Sequence, residues 1–179
     1  MNVLIKLRKL LEAYKLDGYI VPKNDEFFGE YIDNRDDRLN FISLFSGSAG
    51  YGLILKKRAY LFVDGRYTLQ AKKESNKNFK VVEIHKTRPS TILAKINQKL
   101  KIGFDPKLFS EASLVNNFQT KNTTMIPVEK NLVDKIWSNR SKTKINKFFV
   151  LDSKHAGKDY KSKINMICKI LKKEKLINC

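Results

Sequence analysis

Cysteine, histidine and long apolar runs are all scarce in this chain, and each scarcity excludes a class of protein. Two cysteines, Cys168 and Cys179, are too few for a disulfide framework and suit a reducing compartment. The two histidines, His85 and His155, belong to no metal-binding pattern and cannot by themselves form a transition-metal site. No apolar run approaches the roughly 20 residues that span a bilayer, and no charged leader or cleavage site opens the sequence. We therefore expect a cytoplasmic protein without a membrane partner.

Acidic residues are also scarce, since 18 Asp and Glu stand against 36 Lys and Arg and give a formal net charge of +18. Such an excess raises the hypothesis of nucleic-acid binding, because Lys and Arg neutralise phosphates and release counterions. The basic residues are mostly Lys, however, whereas Arg supplies the bidentate contacts to bases and phosphates. We therefore expect a solvated basic surface, and specific nucleic-acid binding is the less favoured alternative.

The hydrophobic residues are enough for one core, because they make up 42% of the 179 residues. Their spacing alternates between helical and strand periods. Helices are predicted over 3–16, 36–45, 67–75, 89–100 and 110–118, and strands over 19–21, 51–55, 59–63, 79–84, 102–104 and 125–128. Gly18 is expected just past the end of the first helix, and the short segment Lys56-Lys57-Arg58 predicts a β-hairpin. The predicted fold class is α/β, a mixed β-sheet flanked by helices.

The composition divides the chain into a domain, a linker and a terminal helix. We place the α/β domain at residues 1–137 and a polar linker at 138–157. The segment 158–179 then predicts a helix that begins an incomplete second domain. One face of this helix is apolar and has no later element to pack against, so we expect it to need a partner surface. The residues of that face are Ile164, Ile167, Cys168 and Leu171.

Two glycine-containing motifs are candidates for a ligand-binding site. Gly47-Ser48-Ala49-Gly50 lacks the Lys-Ser/Thr of a phosphate loop and precedes a strand, so it predicts a structural turn. Asp64-Gly65-Arg66-Tyr67 follows a strand, where α/β sheets commonly build sites, and it presents a charge there. The alternative is an Asp-Gly turn in which Arg66 pairs with an acid such as Glu26 or Asp64 itself. Both interpretations are open at this point.

Carboxylates concentrate in one loop of this basic chain. They do not have EF-hand spacing, and we expect a solvated loop that pairs with Arg35, Arg38 and nearby lysines. No Gly-x-Ser-x-Gly elbow is present, and Cys168 lies on an apolar helix face. The sequence therefore predicts neither a catalytic residue nor a metal ligand. The carboxylates of the loop are Asp25, Glu26, Glu30, Asp33, Asp36 and Asp37.

Four segments occur in an order that resembles the amino-terminal domain of the large aminopeptidase P (Xaa-Pro aminopeptidase) enzymes of the creatinase/prolidase family. They are the block 25–71, the Gly-x-Asp-Pro segment 101–106, the segment 131–137, and Ala156-Gly157 with the helix after it. Phe28 and Asn34-Arg35 depart from the family pattern.

The resemblance implies an amino-terminal domain of ribonuclease-H-like topology and a separate catalytic domain that binds two Mn²⁺ ions. None of that domain's metal ligands falls in this sequence, so we expect no cofactor here and no peptidase activity by the chain alone. The resemblance implies that the loop 25–31 and the turn 64–67 lie at the substrate entrance or at an interface. The candidate residues are Glu26, Glu30, Asp64, Arg66 and Tyr67. Expected partners are a companion chain with the catalytic domain or a second copy. A stand-alone interaction or oligomerisation domain is the alternative.

Overall fold

The computed structural model describes residues 3–141 and 147–174. The chain divides into two units, residues 1–142 and 143–179. Cys179 and the end of the helix predicted over 158–179 lie outside the described residues.

The first unit contains the predicted alternation of helices and strands. Its helices are α1 (Val3–Ala13), α2 (Arg38–Ser43), α3 (Thr68–Glu74), α4 (Pro89–Ala94), α5 (Glu111–Asn117) and α6 (Leu132–Ile136), and its strands are β1 (Gly18–Pro22), β2 (Tyr51–Leu55), β3 (Ala59–Val63), β4 (Phe79–Glu83), β5 (Leu100–Phe104) and β6 (Thr123–Pro127).

The six strands form one mixed sheet in the order β4-β3-β2-β1-β5-β6. Strand β2 runs antiparallel to both of its neighbours, and the remaining pairs are parallel. The carboxyl ends of β1, β3, β4, β5 and β6 therefore lie along the same edge of the sheet, which we call the carboxyl edge. The predicted α/β class and the hairpin of β2 and β3 are confirmed.

Helices cover both faces of the sheet because its buried strands are apolar on both sides. In β3, Leu61 and Val63 face one core while Tyr60 and Phe62 face the other, as the period of two requires. The first core is covered by α1, α2, α3 and α6, and the second by α4 and α5. Continuous apolar strands of this kind are typical of sheets buried on both faces.

Local capping explains where several helices begin and end. The Asp37 side chain accepts a hydrogen bond of 3.1 Å from the backbone N–H of Asn40 and so begins α2. Leu44 ends that helix in the left-handed conformation, with φ of 69°. Ser110 begins α5 in the same way, by accepting 3.2 Å from the N–H of Ser113. The predicted helices over 36–45 and 110–118 are confirmed in their central turns.

Two predicted boundaries are wrong. The helix predicted over 89–100 ends at Ala94, and Leu100 instead begins β5, where its N–H donates to the carbonyl of Asn122 at 2.7 Å. Gly18 does not follow the first helix directly. That helix ends at Ala13, the chain turns with a positive φ of 53° at Lys15, and Gly18 is already the first residue of β1.

The second unit contains two helices among its described residues, α7 (Ser153–Ala156) and α8 (Tyr160–Lys173). Asp159 begins α8 by accepting a hydrogen bond of 3.0 Å from the N–H of Ser162. The hydroxyl of Ser162 also donates to Asp159 and lowers the pKa of that carboxyl. The predicted domain boundaries at 137 and 157 stay predictions. Within the described residues, no helix has the length and apolarity needed to cross a membrane.

Candidate functional site

The turn that follows β3 lies at the carboxyl edge and contains three of the predicted site residues. Asp64 caps a single 3-10 turn, Gly65–Tyr67, by accepting a hydrogen bond of 2.9 Å from the N–H of Arg66. The Arg66 guanidinium folds back on the same carboxylate, with Nη2 at 2.7 Å from Oδ2 and Nε at 3.2 Å from Oδ1. The hydrogen bond from the Arg66 side chain lowers the pKa of Asp64. Arg66 therefore pairs with Asp64, as the alternative interpretation expected, and does not pair with Glu26.

Tyr67 connects this turn to the glycine turn that precedes β2. Its hydroxyl lies 2.6 Å from the hydroxyl of Ser48, and its ring meets Phe45 edge to face, with centroids 6.0 Å apart. On its other side the Cζ of Arg66 lies 5.3 Å from the ring centroid, a cation–π distance. The turn at Gly47 is therefore structural, as predicted, and it packs against both aromatic rings.

A second set of hydrogen bonds ties the same glycine turn to α3. The carboxylate of Glu74 accepts from the N–H of Ser46 at 2.9 Å and from its hydroxyl at 2.9 Å. The amide of Gln70 donates to Glu74 and to the Ser46 hydroxyl, each at 3.0 Å. The hydrogen bond from the Ser46 backbone is the largest cause of a lowered pKa of Glu74. We call the whole set the Tyr67 cluster, which consists of Phe45, Ser46, Ser48, Asp64, Arg66, Tyr67, Gln70 and Glu74.

Sequence reasoning missed Ser46, Gln70 and Glu74. The available signal was the spacing of Gln70 and Glu74, because residues four apart share one face of a helix. That signal gives the face of α3, but it does not reveal that the glycine turn packs on that face. The carboxylate and hydroxyl groups of the cluster satisfy one another, so the arrangement positions the exposed Arg66 rather than activating a nucleophile.

The acidic loop after β1 does not join the Tyr67 cluster. Glu26 pairs with Lys107 at 3.3 Å, and both side chains are at least half exposed. Glu30 is exposed, and among the described residues no hydrogen bond or ion pair links it, or Glu26, to the cluster. Asp25 holds the loop itself, since its Oδ1 accepts from the N–H groups of Phe27 at 2.9 Å and Gly29 at 3.0 Å. The substrate-entrance or interface role of these residues stays a prediction.

The expectation of a solvated loop is wrong at its carboxyl-terminal end, although the expected pairing of its carboxylates with Arg35, Arg38 and a lysine is present. Asp37 and Arg38 are buried, and Asp37 pairs with Lys23. Arg38 forms a bidentate pair with Asp134 of α6, with Nε to Oδ1 at 2.7 Å and Nη2 to Oδ2 at 2.9 Å. Burial alone lowers the pKa of Arg38, and the carboxylate of Asp134 outweighs it and raises that pKa. Burying a charged pair requires such complete pairing, and a sequence does not show which distant acid supplies it.

Arg140 extends this network beyond α6. Its guanidinium reaches Asp36 Oδ1 at 2.5 Å and Asp134 Oδ2 at 2.7 Å, and its Nε donates 2.7 Å to the carbonyl of Arg35. Next to it, Trp137 stacks on Phe41 with ring centroids 4.4 Å apart. These contacts hold the chain after α6 against the start of α2.

No metal centre is formed by the residues that the structure describes, because no three His, Cys, Asp or Glu side chains among them come together in a way that could hold an ion. Two of the candidate carboxylates are instead paired with cations, Asp64 with Arg66 and Glu26 with Lys107. The described residues therefore do not fit a dinuclear metal site.

Comparison with known proteins identifies the fold. Residues 4–136 match the model of the creatinase/prolidase N-terminal domain. The chain belongs to this family. A solved X-prolyl aminopeptidase from Caenorhabditis elegans, described as a cytosolic enzyme with a di-nuclear active site, superposes with a TM-score of 0.80 at 27% identity. The superposition covers 97% of this chain and 31% of that enzyme. The N-terminal domain of the peptidase PepQ from Mycobacterium tuberculosis shares the fold, with a TM-score of 0.55 over 75% of this chain and 97% of that domain, at 21% identity.

Curated relatives at higher identity are whole aminopeptidases. The probable Xaa-Pro aminopeptidase P of Coprinopsis cinerea is 36% identical over 96% of this chain and 29% of its own length. Aminopeptidase P1 of Lotus japonicus is 35% identical over 97% of this chain and 27% of its own length. This member of the family therefore matches the N-terminal portion of Xaa-Pro aminopeptidases and spans less than a third of the length of the curated relatives it matches.

Proposed function

We propose that this chain is the N-terminal, non-catalytic portion of an Xaa-Pro aminopeptidase, a cytoplasmic metallopeptidase that removes the residue before a proline. The observation that carries the proposal is the match of nearly the whole chain to such enzymes, at 36% identity in the Coprinopsis cinerea relative and with a TM-score of 0.80 to the Caenorhabditis elegans enzyme. In the complete enzyme, two Mn²⁺ ions bound by another domain would activate water for hydrolysis.

The Tyr67 cluster supports a positioning role for this domain. Arg66 is fixed by Asp64 and by the ring of Tyr67, yet 76% of its side chain is exposed. Pairing with Asp64 occupies Nε and Nη2, and no contact among the described residues engages Nη1, which can donate outward to a carboxylate or carbonyl. Asp64, Arg66 and Tyr67 would then line the substrate entrance or an interface with the catalytic portion, and Glu26 and Glu30 would do so from the acidic loop.

Two assays test this proposal. The purified chain with Mn²⁺ should not hydrolyse an Xaa-Pro peptide, whereas it should restore activity when it replaces the N-terminal portion of the Caenorhabditis elegans enzyme. The same chimera with the Arg66→Met substitution tests the contribution of Arg66. It should fold normally and turn over the peptide more slowly than the chimera that keeps Arg66. Metal-dependent turnover by the chain alone, lost on chelation, would falsify the non-catalytic assignment. A folded chimera without activity would contradict the positioning role.

A specific observation favours the second candidate, an interaction domain that a companion chain or a second copy recognises. Helix α8 exposes an apolar face, on which Ile164, Ile167 and Ile170 are 53%, 52% and 53% exposed. Apolar groups arranged in this way mark contact surfaces. Replacing Ile164 and Ile167 with Asp should abolish binding of a companion chain measured by titration calorimetry, while Lys169→Asp, on the opposite face of α8, should not. Equal binding by both variants would exclude α8 as that contact.

A further inference from the structure

The first unit contains a large groove that is separate from the Tyr67 cluster. It has a volume of about 1010 Å³ and lies against β3, β4 and α4. Part of its lining is apolar, supplied by Tyr60, Val82, Ile92 and Ile96. A groove of this volume can accept several side chains of a peptide segment.

Basic residues dominate the rest of the lining. Two acids are present, but Asp17 pairs with Lys56 at 2.7 Å and Glu83 pairs with Lys86 at 2.9 Å. The remaining basic side chains form no ion pair among the described residues. The groove therefore favours a ligand that combines carboxylates with apolar side chains. The basic residues of this basic groove are Lys56, Lys57, Arg58, Lys80, Lys86 and Lys95.

The chain itself contains a segment with that chemistry, the acidic loop of residues 25–34. It has four carboxylates and no Lys or Arg, in a protein with twice as many basic as acidic residues. Phe27 and Tyr31 are 82% and 90% exposed, and Phe28 is 52% exposed. Aromatic side chains are enriched in the cores of protein interfaces, where they lose this exposure.

The backbone of the acidic loop is strained at Phe28. Its φ is 54°, a left-handed conformation that is uncommon for a bulky residue. The hydrogen bonds that Asp25 accepts from Phe27 and Gly29 hold the loop in this shape. The loop therefore exposes Phe27 and Phe28 to solvent against the hydrophobic preference of both, and it holds the backbone of Phe28 in a conformation that this residue rarely adopts.

We propose that the acidic loop of one copy of this chain docks into the basic groove of a second copy. Glu30, and Glu26 on exchanging its exposed contact with Lys107, match the unpaired cations of the groove. The exposed aromatic rings match its apolar lining. None of residues 25–34 lines the groove of its own copy, so the loop that docks there belongs to a neighbouring molecule.

Charge reversal on each surface tests the contact. A loop variant with Glu26→Lys and Glu30→Lys would present a basic loop to a basic groove. A groove variant with Lys57→Glu and Lys95→Glu would present an acidic loop to an acidic groove. Each variant alone should associate at least about tenfold more weakly than the wild type, because like charges are brought together. A 1:1 mixture of the two should associate again, because every loop then meets a groove of opposite charge.

Sedimentation velocity and light scattering measure this association, with circular dichroism to verify folding. The wild-type mass should exceed that of the 20.8 kDa monomer at about 0.1 M salt and fall towards it at about 1 M, where the Debye length shortens from about 10 Å to about 3 Å. The matched control is Lys9→Glu with Lys121→Glu, two exposed lysines that do not line the groove. It should associate like the wild type.

Three results would overturn the proposal. They are a wild-type monomer at all concentrations, variants that associate as strongly as the wild type, and a mixture in which the two variants remain monomeric. A synthetic peptide of residues 24–34 should compete with self-association of the wild type. If the wild type stays monomeric and an unrelated Glu-rich peptide binds the groove, the occupant is an acidic segment of another protein instead of a second copy.

Discussion

Gly47 and Gly65 both belong to turns around Tyr67, but their surroundings differ. A Cβ atom on Gly47 would lie 2.2 Å from Cζ of Phe45 and 2.9 Å from Cδ1 of Tyr67, whereas on Gly65 the nearest atom would be 3.8 Å away. We expect Gly47→Ala to lower the free energy of unfolding by about 1–3 kcal/mol, because the buried Phe45 must move. Gly65→Ala is the matched control and should change it by less than about 0.5 kcal/mol. Urea unfolding measures both, and equal effects would contradict the packing of the glycine turn.

Glu74 makes the stability of the same turn dependent on pH. Its pKa in the folded state is lowered from the ordinary value of 4.5. The stabilisation is therefore fully present above about pH 4.5 and is lost as the pH falls through the folded-state pKa. Glu74→Gln should lower the urea midpoint at pH 7, and the difference from the wild type should shrink towards pH 3. A difference that does not change between these pH values would show that the carboxylate charge is not the cause.

At the scale of single residues, the sequence predicted contacts between near neighbours and missed those that the fold creates. Asp64, Arg66 and Tyr67 come together because one turn holds them, and an Asp-Gly turn after a strand is visible in the sequence. The partner of Glu26 is Lys107, which lies 81 residues later in the chain. Only the parallel arrangement of β1 and β5 brings the segments that follow them to the same edge.

At the scale of elements, the largely buried pair of Arg38 and Asp134 joins α2 to α6. Arg38→Met would remove the bidentate partner of Asp134 and leave it the pair with Arg140, so it should lower the free energy of unfolding by about 2–3 kcal/mol. Arg66→Met is the matched control, since it breaks an exposed pair of the same geometry and should leave the urea midpoint nearly unchanged. Similar midpoints for the two variants would show that the α2–α6 pair contributes no more than a surface pair.

The order of elements was predictable, but the end of α4 was not. Ile92, Ile96 and Leu100 recur at four-residue intervals, and this pattern predicted a helix through to Leu100. All three side chains do pack in the same core. Leu100 reaches that core from a strand after the chain turns at Ile96 and Gln98. The spacing of apolar residues indicates which side chains are buried, but it does not show that the backbone changes from helix to strand between them.

At the scale of the whole molecule, the segment after α6 should decide how far the first unit extends. A chain of residues 1–141 keeps Arg140 and Trp137, whereas a chain of residues 1–136 loses the Phe41–Trp137 stack and both ion pairs of Arg140. We expect the shorter chain to be less stable by about 2–4 kcal/mol. Urea unfolding followed by circular dichroism compares them, because the shorter chain lacks the single tryptophan. Equal stability would place the end of the folded unit before residue 137.

The position of β1 in the sheet has a consequence for the order of folding. Its neighbours are β2, whose Tyr51 pairs with Pro22 across 29 residues, and β5, whose Ile102 pairs with Gly18 across 84 residues. The hairpin of β2 and β3 closes a three-residue turn and can form early, but one side of β1 stays open until residues 100–104 have been synthesised. During translation the nascent chain therefore carries an apolar strand with one open edge while β3, α3, β4 and α4 are synthesised, and this interval is when it is most prone to aggregate. Pulse-labelling hydrogen exchange should find the amides of β2 and β3 protected before those of β5.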